Sequence, residues 1–154
     1  MSNIALTPAN VRALKEHGAV IVPGQAGGTI TIGDLVYIAS DGDWERADGD
    51  VAGGAPARAV GIAVESFDGE TTINNTDPLS ICVFGPVSGY TSLTGGANYY
   101  LADAAGKIDT AVGTFDRIIA VATAFFFGAL PSHHSFTYDD GMMTEVFGAM
   151  LGVL

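Results

Sequence analysis

The sequence predicts a mainly β fold: a small β-barrel or β-sandwich with a short N-terminal arm or helix and a C-terminal amphipathic helix. Three observations carry this reading. Most apolar residues fall in short runs separated by Gly, Asp, Asn and Pro. Several runs, such as Leu35-Val36-Tyr37-Ile38 and Ile81-Cys82-Val83-Phe84, are apolar on both alternating faces, so their strands need cover on two sides, from a second layer or another subunit. Only the two ends of the chain show the three-to-four spacing of a helix.

In chain order, residues 1–18 form the arm or helix. Thr7 stands as N-cap, Pro8 at the first helical position, Val11 and Leu14 one turn apart, and Gly18 as the stop. Residues 19–130 are the β-domain, with strands expected at 19–22, 29–32, 35–39, 59–64, 79–84, 99–102 and 118–126. The acidic run 41–50 reads as a solvated hairpin turn, with a weak structural cation site as the alternative; it lacks the sixth-place Gly and twelfth-place Glu of a calcium loop. Residues 131–154 open on the breaker Pro131. There Met142, Met143, Val146, Phe147, Met150, Leu151 and Leu154 recur on one helical face, with Asp139 or Asp140 as cap and Glu145 in the opening turns. Such a helix either packs on its own sheet or docks a partner through adaptable Met-rich packing.

The β region also contains an internal echo. Gly33-Asp34-Leu35-Val36-Tyr37-Ile38-Ala39 matches Gly96-Ala97-Asn98-Tyr99-Tyr100-Leu101-Ala102 at a spacing of 63 positions. Ala59-Val60-Gly61-Ile62-Ala63-Val64 matches Ile118-Ile119-Ala120-Val121-Ala122-Thr123 at 59. Each first segment is followed by an acidic turn. Two copies of a β-turn-β unit would suit a pseudo-symmetric barrel.

Composition narrows the function. With 6 basic against 17 acidic residues the 154-residue chain carries a formal charge of −11, which speaks against nucleic acid as a ligand, because phosphate binding needs clustered Lys and Arg. An apolar fraction of 48% predicts a folded core rather than disorder. No basic segment followed by an apolar stretch opens the chain, so synthesis without export is expected. No apolar run approaches the roughly 20 residues of a membrane span, and no membrane association is expected.

Chemistry is not advertised. The chain has no Gly-x-Ser-x-Gly elbow, no phosphate loop ending in Gly-Lys-Ser/Thr and no His-Glu-x-x-His pair, so no catalytic residues and no cofactor are predicted. His133-His134 would point opposite ways on an extended chain, and with His17 and a single Cys a zinc set would need distant carboxylates, so no metal is predicted. Cys82, inside an apolar run, reads as a buried small hydrophobe. Trp44, Tyr37, Tyr90, Tyr99 and Tyr100 are expected in the core, with stacking on sugar rings as the alternative. Phe125-Phe126-Phe127 cannot all face one core from one strand, and that favours a permanent subunit contact. The candidate interface is therefore Phe125, Phe126, Phe127, Met142, Met143, Val146, Phe147, Met150 and Leu151.

One pattern is more specific. Gly-Asp-x-Val-Tyr-Ile, an acidic turn, Trp, then Ala-Val-Gly-Ile-Ala, in residues 33–63, resembles small structural proteins of tailed bacteriophages, namely capsid decoration (cement) proteins and related β-domains of heads and tail fibres. The same holds for Gly85-Pro86-Val87-Ser88-Gly89-Tyr90 leading to Leu93-Thr94-Gly95-Gly96-Ala97-Asn98-Tyr99-Tyr100-Leu101 and Gly106-Lys107-Ile108. The likeness covers roughly residues 19–124 and leaves out the C-terminal segment. It implies a non-enzymatic virion protein, made in the host cytoplasm, that sits on the outer capsid surface as a homotrimer and binds the major capsid protein. One terminal segment, 4–14 or 142–154, would then reach the shell. A tail, baseplate or fibre module and a carbohydrate-binding β-sandwich are the other classes left open.

Overall fold

A computed structural model describes residues 3–51, 55–59, 61–114, 118–122 and 127–129. The fold is mainly β, as expected. Its strands are β1 (Arg12–Ala13), β2 (Val20–Gln25), β3 (Ile30–Thr31), β4 (Leu35–Ile38), β5 (Trp44–Arg46), β6 (Gly61–Ser66), β7 (Thr72–Ile73), β8 (Pro78–Ser88), β9 (Asn98–Leu101), β10 (Ile108–Asp109), β11 (Ile118–Ala122) and β12 (Phe127–Ala129). The main sheet runs β10-β9-β11-β12-β8-β6-β4-β5, with β1 and β2 also on β8; β3 pairs with β7 apart from it.

β8 organises the whole. Its first half pairs with β2 on one edge and β6 on the other, and its second half pairs with β1 and β12. Gly85 lies between the halves at φ +96°, and a Cβ there would stand 2.7 Å from the Cα of Ala19. Only glycine fits both the left-handed backbone and that close approach.

The two halves are built on one pairing plan. Leu35↔Ile62 and Val36↔Gly61 join β4 to β6; Asn98↔Val121 and Tyr99↔Ala120 join β9 to β11. Tyr37↔Glu45 and Ile38↔Trp44 join β4 to β5; Tyr100↔Asp109 and Leu101↔Ile108 join β9 to β10. The N–H of Gly33 donates to Ala63 O at 2.8 Å and that of Gly96 to Ala122 O at 2.8 Å, while Ala39 N donates to Asp43 O and Ala102 N to Lys107 O. The sequence echo is thus also an echo of backbone register.

The ends of the two units close differently. In the first, Ala26 bridges to Trp44 and Gly27 N donates to Trp44 O, which ties the chain leaving β2 to the edge of β5. In the second, the N-terminal arm fills the gap: Leu6 bridges to Tyr90 and Asn3 to Asp109. Of the two forms expected for residues 1–18, an arm or a short helix, the described residues take the arm. A two-to-three-turn helix at 7–18 does not form; two 3-10 turns, Pro8–Asn10 and Lys15–His17, flank β1 instead. Thr7 makes no side-chain cap, whereas Gly18 does end the second turn in the left-handed region. An α-helix would leave the β8 edge at Val87 and Ser88 without backbone partners, and β1 supplies them. A correction concerns the acidic run 41–50. Its tight turn is closed by Ala39 N donating to Asp43 O, and residues 44–46 are strand β5, because Trp44 is drawn into the core.

One buried ion pair crosses between the units. Lys107 Nζ donates to Asp34 Oδ1 at 2.5 Å, with the Asp34 side chain 1% and that of Lys107 33% exposed. Asp34 Oδ2 accepts from Thr31 N at 2.9 Å. Gly106 makes the approach possible: a Cβ there would lie 2.7 Å from the Asp34 Cγ, and its O and N bond to Leu35 N and Ala47 O. Removing the cation leaves a carboxylate inside with its charge uncompensated. Lys107→Met is expected to lower unfolding free energy by about 3 kcal/mol, and Asp34→Asn in the same chain to restore part of it. Urea denaturation of the three variants measures this; equal midpoints for Lys107→Met and the wild type would refute the role given to the pair.

Candidate functional site

The residues singled out from sequence separate into three groups in the structure. The first is the aromatic set. Trp44, Tyr37, Tyr90 and Tyr99 are all buried, and Tyr100 is half-buried. The Trp44 ring lies directly on the backbone of Gly24. Tyr37 Oη donates to Glu45 Oε2 at 2.6 Å, and Tyr90 Oη to Gly33 O at 2.7 Å. Tyr99 Oη accepts from Thr94 N at 2.8 Å, so the buried rings spend their faces on packing and these three hydroxyls on internal partners, which leaves them little to stack on a sugar.

Burial, then the hydrogen bond to Glu45 and the charges of Glu45 and Asp41, push the Tyr37 phenol up to about 12. Tyr90 is pushed higher still, by burial first and by the charge of Asp34 second. Cys82 is fully buried; burial raises its thiol to about 11 against a smaller opposing effect of a hydrogen bond with the Phe84 backbone. A thiol held protonated and enclosed is a poor nucleophile.

The second group is polar. Among the described residues no cluster of three or more His, Cys, Asp or Glu is placed to hold a metal ion. The acidic loops are instead tied to their own backbones: Asp41 Oδ1 accepts from Asp43 N, Asp48 Oδ1 from Asp50 N, and Asp103 Oδ1 from Thr114 N. Asp50, beside Asp48, has its carboxyl pushed up by a shared hydrogen bond and by the Asp48 charge. His133 and His134 lie outside the described residues. Among the described residues no helix is long and apolar enough to cross a membrane.

The third group is the expected interface. Phe127 begins β12, whose backbone is inserted between β11 and β8. Phe125, Phe126, Met142, Met143, Val146, Phe147, Met150 and Leu151 lie outside the described residues, as does the whole expected C-terminal helix.

Sequence reasoning missed a surface feature that the structure makes plain. Between the N-terminal segment and the β6–β7 loop runs a groove of about 420 Å³, floored by Ile32 and Val64 and walled by Pro8, Arg12, Glu65 and Glu70 among others. Phe67, next in the chain to the groove residue Ser66, stands 77% exposed. No pattern marked it, because Phe67 sits between Ser66 and Asp68 in an ordinary polar turn. Comparison with protein-family models, curated proteins and solved structures finds no match to this chain.

Stability should be sensitive to alkali with a definite sign. For Tyr37, Tyr90 and Cys82 the folded protein favours the neutral group, so their contribution is complete below the ordinary values of 9.0 to 10.0 and is lost as pH rises through the raised ones. The melting temperature is expected to begin falling above about pH 9. Tyr90→Phe should lower it at neutral pH yet flatten the alkaline fall; an unchanged alkaline slope would remove Tyr90 from the account. In the same preparation a thiol reagent should label Cys82 only after denaturation.

Proposed function

We propose that this protein is a structural component of a tailed-bacteriophage particle, a capsid decoration protein that binds the outer shell as an oligomer, a homotrimer by resemblance, and stabilises its expanded form. The observation that carries the reading is the coincidence of resemblance and register. The two stretches that resemble decoration proteins, at 33–63 and 85–108, contain β4 and β5 with the start of β6 in one and β9 with the start of β10 in the other, and these strands follow one pairing plan. The stretches that resemble phage structural proteins thus fall on strands with matching registers, which supports the reading.

The role requires no reaction. A protein that binds only the expanded shell shifts the balance toward it by mass action, resisting rupture under packaged DNA. The carboxylates of the exposed loops at 41–50, 65–70 and 103 give an acidic exterior, which supports a surface that does not adhere to nucleic acid. Of the two terminal segments, residues 4–14 are engaged internally: Leu6 bridges to Tyr90, Val11 is fully buried and Leu14 N donates to Pro86 O at 3.0 Å. This supports residues 142–154, rather than 4–14, as the segment proposed to reach the major capsid protein.

The decisive measurement is on particles. Quantitative proteomics of purified virions is expected to find this chain at a copy number close to that of the capsid subunit, with immunogold label on heads. Label confined to tails would favour a tail or baseplate module, and absence from particles would overturn the proposal. Deleting residues 139–154 should abolish head binding while leaving the melting temperature within a few degrees; retained binding would return the contact to another surface.

A further inference from the structure

We propose that residues 3–10 form a strap that opens as a unit from the edge of β10, hinged before Val11, and that the unmatched carboxyl oxygen of Asp109 favours the opening. Asp34 and Asp109 are the buried acidic side chains among the described residues, each 1% exposed. They are not equally provided for. Asp34 has Lys107 on one oxygen and Thr31 N on the other. Asp109 Oδ1 accepts from Ala111 N at 3.0 Å and from Thr110 Oγ1 at 3.4 Å, whereas its Oδ2 is enclosed with no hydrogen-bond partner among the described residues. An enclosed acceptor without a donor costs the full desolvation of that atom, so a motion that lets water reach it is favoured.

The strap is the element placed to make that motion. Asn3 bridges to Asp109 in antiparallel register, so these two side chains share one face at the sheet edge. No residue from 3 to 10 is buried, and Val11, fully buried, is the first fixed point along the chain. The strap is held by single bridges rather than by a ladder, at Asn3↔Asp109 and Leu6↔Tyr90. Ile4 N donates to Ile108 O at 2.8 Å, and Thr91 donates to Ala5 O through its N at 2.9 Å and its Oγ1 at 3.1 Å. Thr7 N reaches Gly89 O only at 3.4 Å. Leu6 is the apolar anchor, seated so closely on Gly33 that a Cβ there would lie 3.0 Å from its Cδ2.

The first unit supplies an internal comparison. There Gly27 N donates to Trp44 O at 2.8 Å, the same length as the Ile4 bond, but Gly27 lies between β2 and β3 and is held from both sides. Among the described residues the orphaned buried oxygen is on Asp109, in the second unit. Equal hydrogen bonds at the two edges therefore carry unequal loads. When the strap leaves, Ile108 O and Thr91 N lose their partners and β10 becomes an open strand edge, which the closed strap otherwise covers.

This device goes beyond the capsid reading and stands independently of it. Amide hydrogen exchange followed by NMR on the full chain tests it. Ile4 N, on the strap, and Thr91 N, which it covers, are expected to share one opening constant, well above that at Gly27. Asp109→Thr keeps an acceptor for Ala111 N and puts a methyl group in place of the orphaned oxygen. It should lower the shared constant about tenfold, the size of one unsatisfied buried acceptor, and leave Gly27 unchanged. Leu6→Ala should raise the same constant, again without moving Gly27. Exchange that slows gradually from Ile4 to Thr7 would mean simple fraying and overturn the strap as a unit. Ile4, Thr91 and Gly27 exchanging together would do the same. A constant that responds to Leu6→Ala but not to Asp109→Thr overturns the part given to Asp109.

Discussion

Everything in this fold is registered to one strand. Backbone N–H and C=O groups removed from water must find partners, and β8 meets that demand for two half-sheets by changing neighbours at its midpoint. Its first seven residues complete the unit that contains β4, β5 and β6; its last four open the unit that contains β9, β10 and β11. The bend at Gly85 redirects the strand, so that the two halves share a continuous hydrophobic core running from Trp44 and Ile81 to Tyr99 and Ile119. A side chain at Gly85 would collide with the chain entering β2 and separate these layers.

The units share a backbone plan but not a charge plan. Asp34 and Ala97 occupy matching places before β4 and β9, and Asp43 and Lys107 matching places in the two hairpin turns. Only the cross combination of Asp34 with Lys107 gives opposite charges, and it is the one the fold buries. The penalty for burying a carboxylate is high enough that a single such pair can fix how two otherwise similar units are laid against each other. The arm adds to this asymmetry, since residues 3–6 fill at the edge of the second unit a place that the first closes with Ala26 and Gly27.

Among the described residues Trp44, Tyr37, Tyr90, Tyr99 and Cys82 are enclosed, while acidic turns and a few apolar side chains, Phe67 foremost, face outward. Tyr37, Tyr90 and Cys82 are all held toward their neutral forms by burial, which is the signature of packing.

The β class, the strands at Leu35–Ile38 and Asn98–Leu101 and the internal echo were legible in the residues alone, because alternation and glycine punctuation act locally and the two-sided apolar runs demand cover wherever they are placed. The buried state of Cys82 and of Trp44 followed from composition for the same reason. The short strands β1, β5, β7 and β10 were not legible: two or three residues carry no period, and their pairing is imposed by the neighbour whose hydrogen bonds they complete. The apparent helix at 7–18 lost to the open edge of β8 in the same way. The partnership of Asp34 with Lys107 and the setting of Phe67 beside a recess joined residues far apart in the chain, or gave an ordinary turn a neighbour it lacked in sequence. Local pattern therefore determined the kind of structure and its repeating parts, while tertiary packing decided which charges met and which apolar group was left facing outward, since desolvation depends on what lies across space rather than along the chain.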